Sequence, residues 1–472
     1  MLKLIQRLKN SIMSFSAAVG FSKTTQQFER RDKMTLVAFL GFMMICLFMY
    51  LILSKRMSAM VALMLVPIVF GIGLVVMGMA DPAKMGGWMK DGVLQAAPTA
   101  VMLCFAILYF GTMIDAGLFD PLVNAIKKVV KGDPLRVAVG TCILSAIVSL
   151  DGDGATTYLT VCSALLAVHK SVGVHPAMLP TLCALQVGIM NLLPWGGPTG
   201  RVLASLNLTS EEVFLPLIPG MVVATVGVLI FAYVWGMRER KRLGWVKSVS
   251  ATDECTNIPE TASTDTLKRP QLFWFNLGLT TVLLYCLMTE VLPLMLLFMI
   301  GTGLVLVVNY PKLADQQERV KEHASSALPV ISLIFAAGIM MGIMSGTKMV
   351  DQMAQSLIAM IPSSMGAHMA LFTALLTIPG TFFMTNDAFY FGVLPVLSKA
   401  ASAYGISTVE IARASLLGPP PHTFSPLTAS TWLLVGMSGV SMADLQKYGL
   451  IPAIMITLIF IATALVLGLF PF

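Results

Sequence analysis

Apolar runs long enough to cross a bilayer recur along the whole chain. They lie near 34–53, 57–79, 93–114, 177–194 and 213–236, and again near 272–290, 291–309, 327–346, 411–435 and 450–470. A helical crossing needs about 20 mostly apolar residues. Alternating strand-length segments are not evident, so the pattern predicts an all-α polytopic membrane protein. Two further regions are too long for one crossing and carry a polar break at the middle: 137–171 around LDGDGATT and 369–404 around GTFFMTND. Such a region suits a re-entrant hairpin that enters and returns on one side. Before each hairpin comes a short amphipathic piece, DPLVNAIKKVV and VDQMAQSLIAMIP, suited to the membrane interface.

The order of parts repeats. Gly173 to Pro194 spans 21 residues and so does Gly405 to Pro426, while Asp153 to Gly173 spans 20 and Asp387 to Gly405 spans 18. The chain therefore divides into a first repeat, 34–236, with hairpin 137–171 and a broken helix at 177–201, and a second repeat, 272–472, with hairpin 369–404 and a broken helix at 411–435. Between them runs a polar Ser/Thr-rich linker, 237–271, and before them a basic, amphipathic extension, 1–33. With five crossings plus a hairpin per repeat, the second is inverted relative to the first. The basic loops at 54–56, 127–136, 238–242 and 311–321 then share one side, which the positive-inside rule makes cytoplasmic. The linker is cytoplasmic too and both termini face outward, against which the basic RRDK at 30–33 stands as a misfit.

Composition agrees: 57% of the 472 residues are hydrophobic, 12% are charged, and mean hydropathy is +0.83. The net charge of +7 gathers beside apolar spans, which fits membrane orientation and not nucleic acid. The seven cysteines show no CxxC or Cys/His cluster, and those at 46, 104, 142, 162, 183 and 286 read as small buried hydrophobes. The first residues have a basic start, but their apolar centre is short and broken by Ser and Asn. They suit a surface helix better than a cleaved signal peptide. The expected location is the cell inner (plasma) membrane, as a multi-pass protein.

The chemistry lies in four polar islands. SLDGDGATT puts Asp151 and Asp153 at the first hairpin tip, where an ionised carboxylate costs about 2.5 to 3.5 kcal/mol on insertion scales. These acids must be protonated, paired, or turned toward water or an ion. An EF-hand loop fails, since its fifth, sixth and twelfth positions are Ala155, Thr156 and Cys162. Gly152 and Gly154 let one helix end and another begin. Thr156, Thr157 and free N–H groups at the new helix start then favour an anion. In NLLPWGGPTGR, Pro194, Gly196, Gly197 and Pro198 should unwind a crossing at mid-membrane beside Asn191, Thr199 and Arg201. Arg201 reads equally as a residue that snorkels to the surface. The second half supplies Thr385, Asn386 and Asp387 at its tip, with Asp387 a candidate helix cap. It also supplies GPPPHTFSPLTAST with His422, Thr423, Ser425, Thr428, Ser430 and Thr431. Two tips and two broken helices point to a repeat-built secondary transporter with its site near the bilayer midplane. GxxxxGK[ST] is absent, which argues against an ATP-driven pump of the P-loop class.

In order and spacing, SLDGDGATT, LPWGGPTGR, TNDAFYFGVLPV and PHTFSPLTAS resemble the CitMHS family of citrate–metal:proton symporters, within the wider ion transporter superfamily. The likeness runs from about residue 34 to the C-terminus. It implies no enzymatic activity and no permanently bound cofactor. It implies proton-driven uptake of citrate or a related carboxylate complexed with a divalent cation, Mg²⁺ or Ca²⁺, by a homodimer with scaffold and elevator-type transport domains. By the same resemblance, Asp151, Asp153 and Asp387 serve metal or proton coupling, while Thr156, Thr157, Asn191, Gly196, Gly197, Thr199, Arg201, Asn386, His422, Ser425 and Thr428 line the substrate cavity. The family pattern often has a His before DGDG where this chain has Leu150, a departure that puts the proton role of that His in doubt here. Electrostatics fit independently of the family: three acids facing one base repel a free tricarboxylate unless a cation or protons accompany it. A sodium-coupled carboxylate or other organic-anion symporter on the same scaffold remains an alternative. An intramembrane aspartyl protease does not fit, because a GxGD signature and a Tyr-Asp pair are both missing.

Overall fold

The computed structural model describes residues 22–54, 56–130, 132–245, 267–289 and 291–471. Among these residues it is helical throughout and without strands, and eight helices are long and apolar enough to cross a membrane. The first half contains α1 (Ser22–Leu53), α2 (Ala59–Val76), α3 (Pro82–Asp115), the amphipathic α4 (Asp120–Val130), a hairpin of α5 (Pro134–Val148) and α6 (Gly154–Val172), then α7 (Met178–Met190), α8 (Gly197–Leu206), the short α9 (Ser210–Phe214) and α10 (Ile218–Arg242). The second contains α11 (Phe273–Thr289), α12 (Leu294–Asn309), α13 (Leu313–Gly346), α14 (Met349–Met360), the short α15 (Ser363–Gly366), a hairpin of α16 (Met369–Phe383) with a π-helical turn (Ala388–Val393) and α17 (Leu394–Ser402), then α18 (Thr408–Ser415), a 3₁₀ turn (Pro420–Phe424), α19 (Ala429–Ser438) and α20 (Met442–Val466).

Local sequence explains where these helices begin. Asp81 and Asp133 each precede a proline and accept a backbone N–H at 3.0 Å, so α3 and α5 start on a capped, pre-bent turn. Ser407 and Glu410 form a reciprocal capping box at α18. Residues 22–33 of the expected extension continue helically into the first crossing as part of α1, and residues 1–21 and 246–266 lie outside the described residues.

Two packed groups emerge. In one, α3 and α13 lie side by side along their length, with α2 and α12 against them. Glycine makes that approach possible: a Cβ on Gly92 would stand 2.1 Å from Gly338 O, and one on Gly342 would stand 2.0 Å from Trp88 O. Small residues four apart let membrane helices meet backbone to backbone. In the other group, α5, α6, α7 and α10 pack with α19, α20 and the 3₁₀ turn, while α16, α17 and α18 pack on one another. α8 lies where the groups meet, touching α3 and α13 on one side and the π-helical turn on the other.

Polar ties fix which loops share an end. Arg240, at the last turn of α10, binds Asp133 at the base of the first hairpin through Nε (2.7 Å) and Nη2 (2.5 Å). Arg319 binds Asp115 at 3.0 Å, and Arg269 N donates to Ala116 O at 3.0 Å. At the opposite end of α10, some 37 Å away for 25 residues, Arg413 of α18 donates to Glu212 O at 2.7 Å and to Leu469 O at 3.3 Å. The second hairpin runs into α18, and its tip meets the first break where Asp387 binds Arg201.

Candidate functional site

At the first tip, α5 ends in a 3₁₀ turn, Ser149–Asp151, and Gly152 takes φ +75° before α6 begins. Only glycine fits there comfortably, since a Cβ would also meet Trp195 Cδ1 at 2.7 Å. Asp153 is the N-cap of α6. Its carboxylate accepts from Ala155 N (3.3 Å), Thr156 N (3.0 Å) and the Thr156 hydroxyl (2.6 Å). The expectation of free N–H donors for an anion is corrected here, because Asp153 already takes two of them. Asp151 is buried. One of its oxygens accepts from Asp153 N (2.9 Å) and lies 3.4 Å from the Thr157 hydroxyl, while the other has no hydrogen-bond partner.

The first break, 191–196, folds back on itself. The Thr199 hydroxyl donates to Leu192 O at 2.7 Å, and a Cβ on Gly196 would overlap Asn191 O at 2.0 Å. The Trp195 indole donates to Leu150 O at 2.8 Å and fastens the break to the first tip. Arg201 does not snorkel outward. It donates from Nε to Asp387 Oδ1 at 2.5 Å and from Nη1 to Gly197 O at 2.8 Å, with its side chain 16% exposed and that of Asp387 13%. The first break is thereby tied to the second tip. Asp387 is consequently not the cap of its helix; the Thr385 hydroxyl accepts from Ala388 N at 3.2 Å instead.

The second break closes the ring. His422 Nδ1 lies 2.6 Å from Thr381 O, and Ser425 donates to Phe382 O at 2.6 Å, both on the second tip's first leg. The Thr428 hydroxyl donates to His422 O at 3.0 Å and lies 3.2 Å from His422 Nε2. Thr423 donates to Ala184 O on α7 at 3.0 Å, and Thr431 donates to Thr423 O at 2.8 Å. Ser430 faces the first tip, its Oγ 3.5 Å from where a Cβ on Gly154 would stand. Each tip therefore touches both breaks, although about 200 residues separate the halves in sequence.

The residues singled out from sequence divide into two kinds. Thr157, Gly196, Thr199 and Ser425 are buried and spend their hydroxyls or their missing side chain on holding the turns. Asp153, Thr156, Asn191, Gly197, Arg201, Asn386, Asp387, His422 and Thr428 are half-buried, open to whatever enters. The Asn386 carbonyl oxygen has no hydrogen-bond partner, like the second oxygen of Asp151. Three acids do not face one base: Asp387 holds Arg201, whereas the hydrogen bonds to Asp151 and Asp153 come from amides and hydroxyls. Among the described residues no three His, Cys, Asp or Glu stand close enough to hold a metal by themselves. Trp195 was not singled out; the indole in LPWGGP was the available signal, as an aromatic with a polar tip amid helix breakers.

Two helical hairpins and two interrupted helices meet inside a bundle of apolar spans, the arrangement of a multi-pass membrane protein. The chain belongs to the CitMHS family: the model of that family, described as citrate transporter, matches residues 31–418. It is 52% identical over 437 residues to a "Citrate transporter" of Bacillus subtilis (strain 168), covering 93% of this chain and 100% of that one. To the "Mg(2+)/citrate complex secondary transporter" of the same organism it is 46% identical over 433 residues, covering 92% and 99%. Among solved structures it is similar to the YdaH transporter of Alcanivorax borkumensis, with a TM-score of 0.56, 15% identity, and coverage of 82% of this chain and 89% of that one. The last likeness is one of fold alone.

Proposed function

We propose that the protein imports citrate, or a closely related carboxylate, as a complex with a divalent cation such as Mg²⁺ or Ca²⁺, coupled to protons. The observation that carries this reading is the half-buried Arg201–Asp387 pair, which joins the first break to the second tip next to Asn386 and within electrostatic reach of His422. Asp387 occupies the guanidinium of Arg201 at this junction. A carboxylate of the incoming complex competes for Arg201, whose planar fork suits it. Asp387, displaced from its partner in a poorly solvated site, is neutralised most cheaply by a proton. Proton uptake and cargo binding are then one event.

The metal arrives with the substrate and supplies part of its own coordination. Mg²⁺ keeps several waters and typically takes only one or two protein carboxylates, so the half-buried Asp153 suffices and a full protein cage is unnecessary. His422 positions the second break and presents Nε2 near Thr428 for hydrogen bonding. A relative named for the Mg²⁺/citrate complex supports this choice of cargo.

Two inverted repeats and an elevator motion complete the reading. Five pairs of helices of matching length support the repeat: α3 and α13 have 34 residues each, α4 and α14 have 11 and 12, α5 and α16 have 15 each, α8 and α19 have 10 each, and α10 and α20 have 25 each. The α3/α13 group would serve as scaffold in a homodimer, and the hairpins with their broken helices would slide against it. The deciding experiment is uptake of radiolabelled citrate into proteoliposomes under an inward proton gradient, with and without Mg²⁺ or Ca²⁺, in sodium-free buffer. Metal-dependent uptake without sodium is expected. Uptake only without metal, or only with sodium, overturns the proposal.

A further inference from the structure

The membrane end that carries Arg240 and Arg319 holds a cavity of about 370 Å³ that shares no residue with the two tips and two breaks. Its walls come from the turn after α3, from α4, and from the start of α11, with Gly117, Asp120, Asn124, Lys268, Phe273 and Trp274 among them. Three features describe what fits. The first is charge. Lys268 Nζ lies 3.0 Å from Asp120, but the side chains are 36% and 43% exposed, so the pair is hydrated and easily opened. Asn124 lies on the face of α4 that continues, three and four residues on, to the exposed Lys127 and Lys128. Three lysines against one aspartate favour an anion.

The second feature is depth. The opposite face of α4 buries Ile126 and Val130, as expected of a helix lying in the interface plane. Trp274, at the first turn of the apolar α11, is 78% exposed, which suits the headgroup level where tryptophan concentrates in membrane proteins. The third is continuity with the hydrocarbon. Below Trp274, α11 turns Leu277, Val282 and Tyr285 outward, so an apolar track leads directly away from the polar cavity. A free inorganic anion has no use for that track; a lipid does.

We propose that this cavity binds the phosphodiester headgroup of an anionic phospholipid, with Lys268 and Asn124 as donors, Lys127 and Lys128 at its rim, and the acyl chains along Trp274 and the exposed face of α11. The lipid would bridge α3, α4 and α11 at the point where α4 leads to the base of the first hairpin.

Dibrominated phosphatidylglycerol titrated into the full-length protein in phosphatidylcholine nanodiscs tests this through tryptophan quenching, the Trp274→Phe variant isolating the signal of the site. Saturable quenching at Trp274 is expected. It should weaken about 5-fold in Lys268→Gln, and be retained in Lys268→Arg. Melting temperature and citrate uptake in Lys268→Gln report that the fold is intact. Equal quenching by dibrominated phosphatidylcholine, displacement by inorganic phosphate alone, or no saturable Trp274 component would each overturn the proposal. The first would mean ordinary annular lipid, the second a soluble-anion site, and the third a cavity closed to lipid, for example by the acidic 246–266 segment with Asp253, Glu254, Glu260 and Asp265.

Discussion

Asp153 does two jobs at once, and substitution separates them. Its carboxylate caps α6 through Ala155 N and Thr156 N while its half-buried position leaves it open to cargo. Asp153→Ala should lower stability by about 1 kcal/mol through the lost cap, whereas Asp153→Ser keeps a capping oxygen and should melt with the wild type. If the carboxylate meets the metal, both variants lose citrate uptake. If Asp153→Ser transports normally, the acid is only a cap. Arg201 and Asp387 obey a different arithmetic. Removing either leaves a nearly buried charge alone, so Arg201→Gln or Asp387→Asn should each cost about 3 kcal/mol or more. The double variant should recover folded yield on size-exclusion chromatography and still fail to transport. Gly152→Ala meets both a positive φ and the Trp195 ring, and should cost about 1 to 2 kcal/mol in thermal denaturation.

Elements were legible wherever periodicity and breakers were strong. The spans, the amphipathic pieces before each hairpin and the interruptions at LDGDGATT and LPWGGPTGR all follow from apolar length set against Gly and Pro. Helix contacts were not legible. GIMMGIMSG in α13 shows glycines four apart, but only the fold reveals that Gly338 and Gly342 press on the backbone of Gly92 and Trp88. Gly342→Leu should therefore abolish a monodisperse folded peak in fluorescence-detected chromatography. Gly303→Leu on α12, where a Cβ meets nothing within 4 Å, should leave that peak unchanged.

For the whole molecule, the arrangement of two groups makes a kinetic prediction. α8 packs on α3 at Gly200, where a Cβ would stand 2.8 Å from Leu103 Cδ1 and 3.5 Å from Thr99 Cγ2, so the two helices are in direct contact there. A Thr99→Cys/Gly200→Cys pair in an otherwise cysteine-free background should arrest citrate uptake when oxidised and release it under reductant. Undiminished uptake with the cross-link formed would rule out sliding of α8 along α3. The distribution of charge belongs to this scale too. The basic loops at 127–136 and 238–242 meet physically through Asp133 and Arg240, so the charge asymmetry along the sequence corresponds to one face of the folded bundle.

By itself the sequence determined the class, an all-helical membrane chain of long apolar spans, because burying an unsatisfied backbone in hydrocarbon is so costly that apolar length leaves few alternatives. It also brought most of the polar residues at the junction to attention, since an ionisable group inside a span is conspicuous. Partnership was decided only by the tertiary structure. Arg201 reads equally well as a snorkelling surface residue until Asp387, 186 positions away, is brought to its guanidinium. Thr199 and Ser425, read from sequence as cavity-lining residues, donate their hydroxyls to Leu192 O and Phe382 O, partners that the sequence alone does not name. The physical reason is common to all three: a polar side chain in a membrane must find a partner, and the sequence records the need while the fold selects the partner.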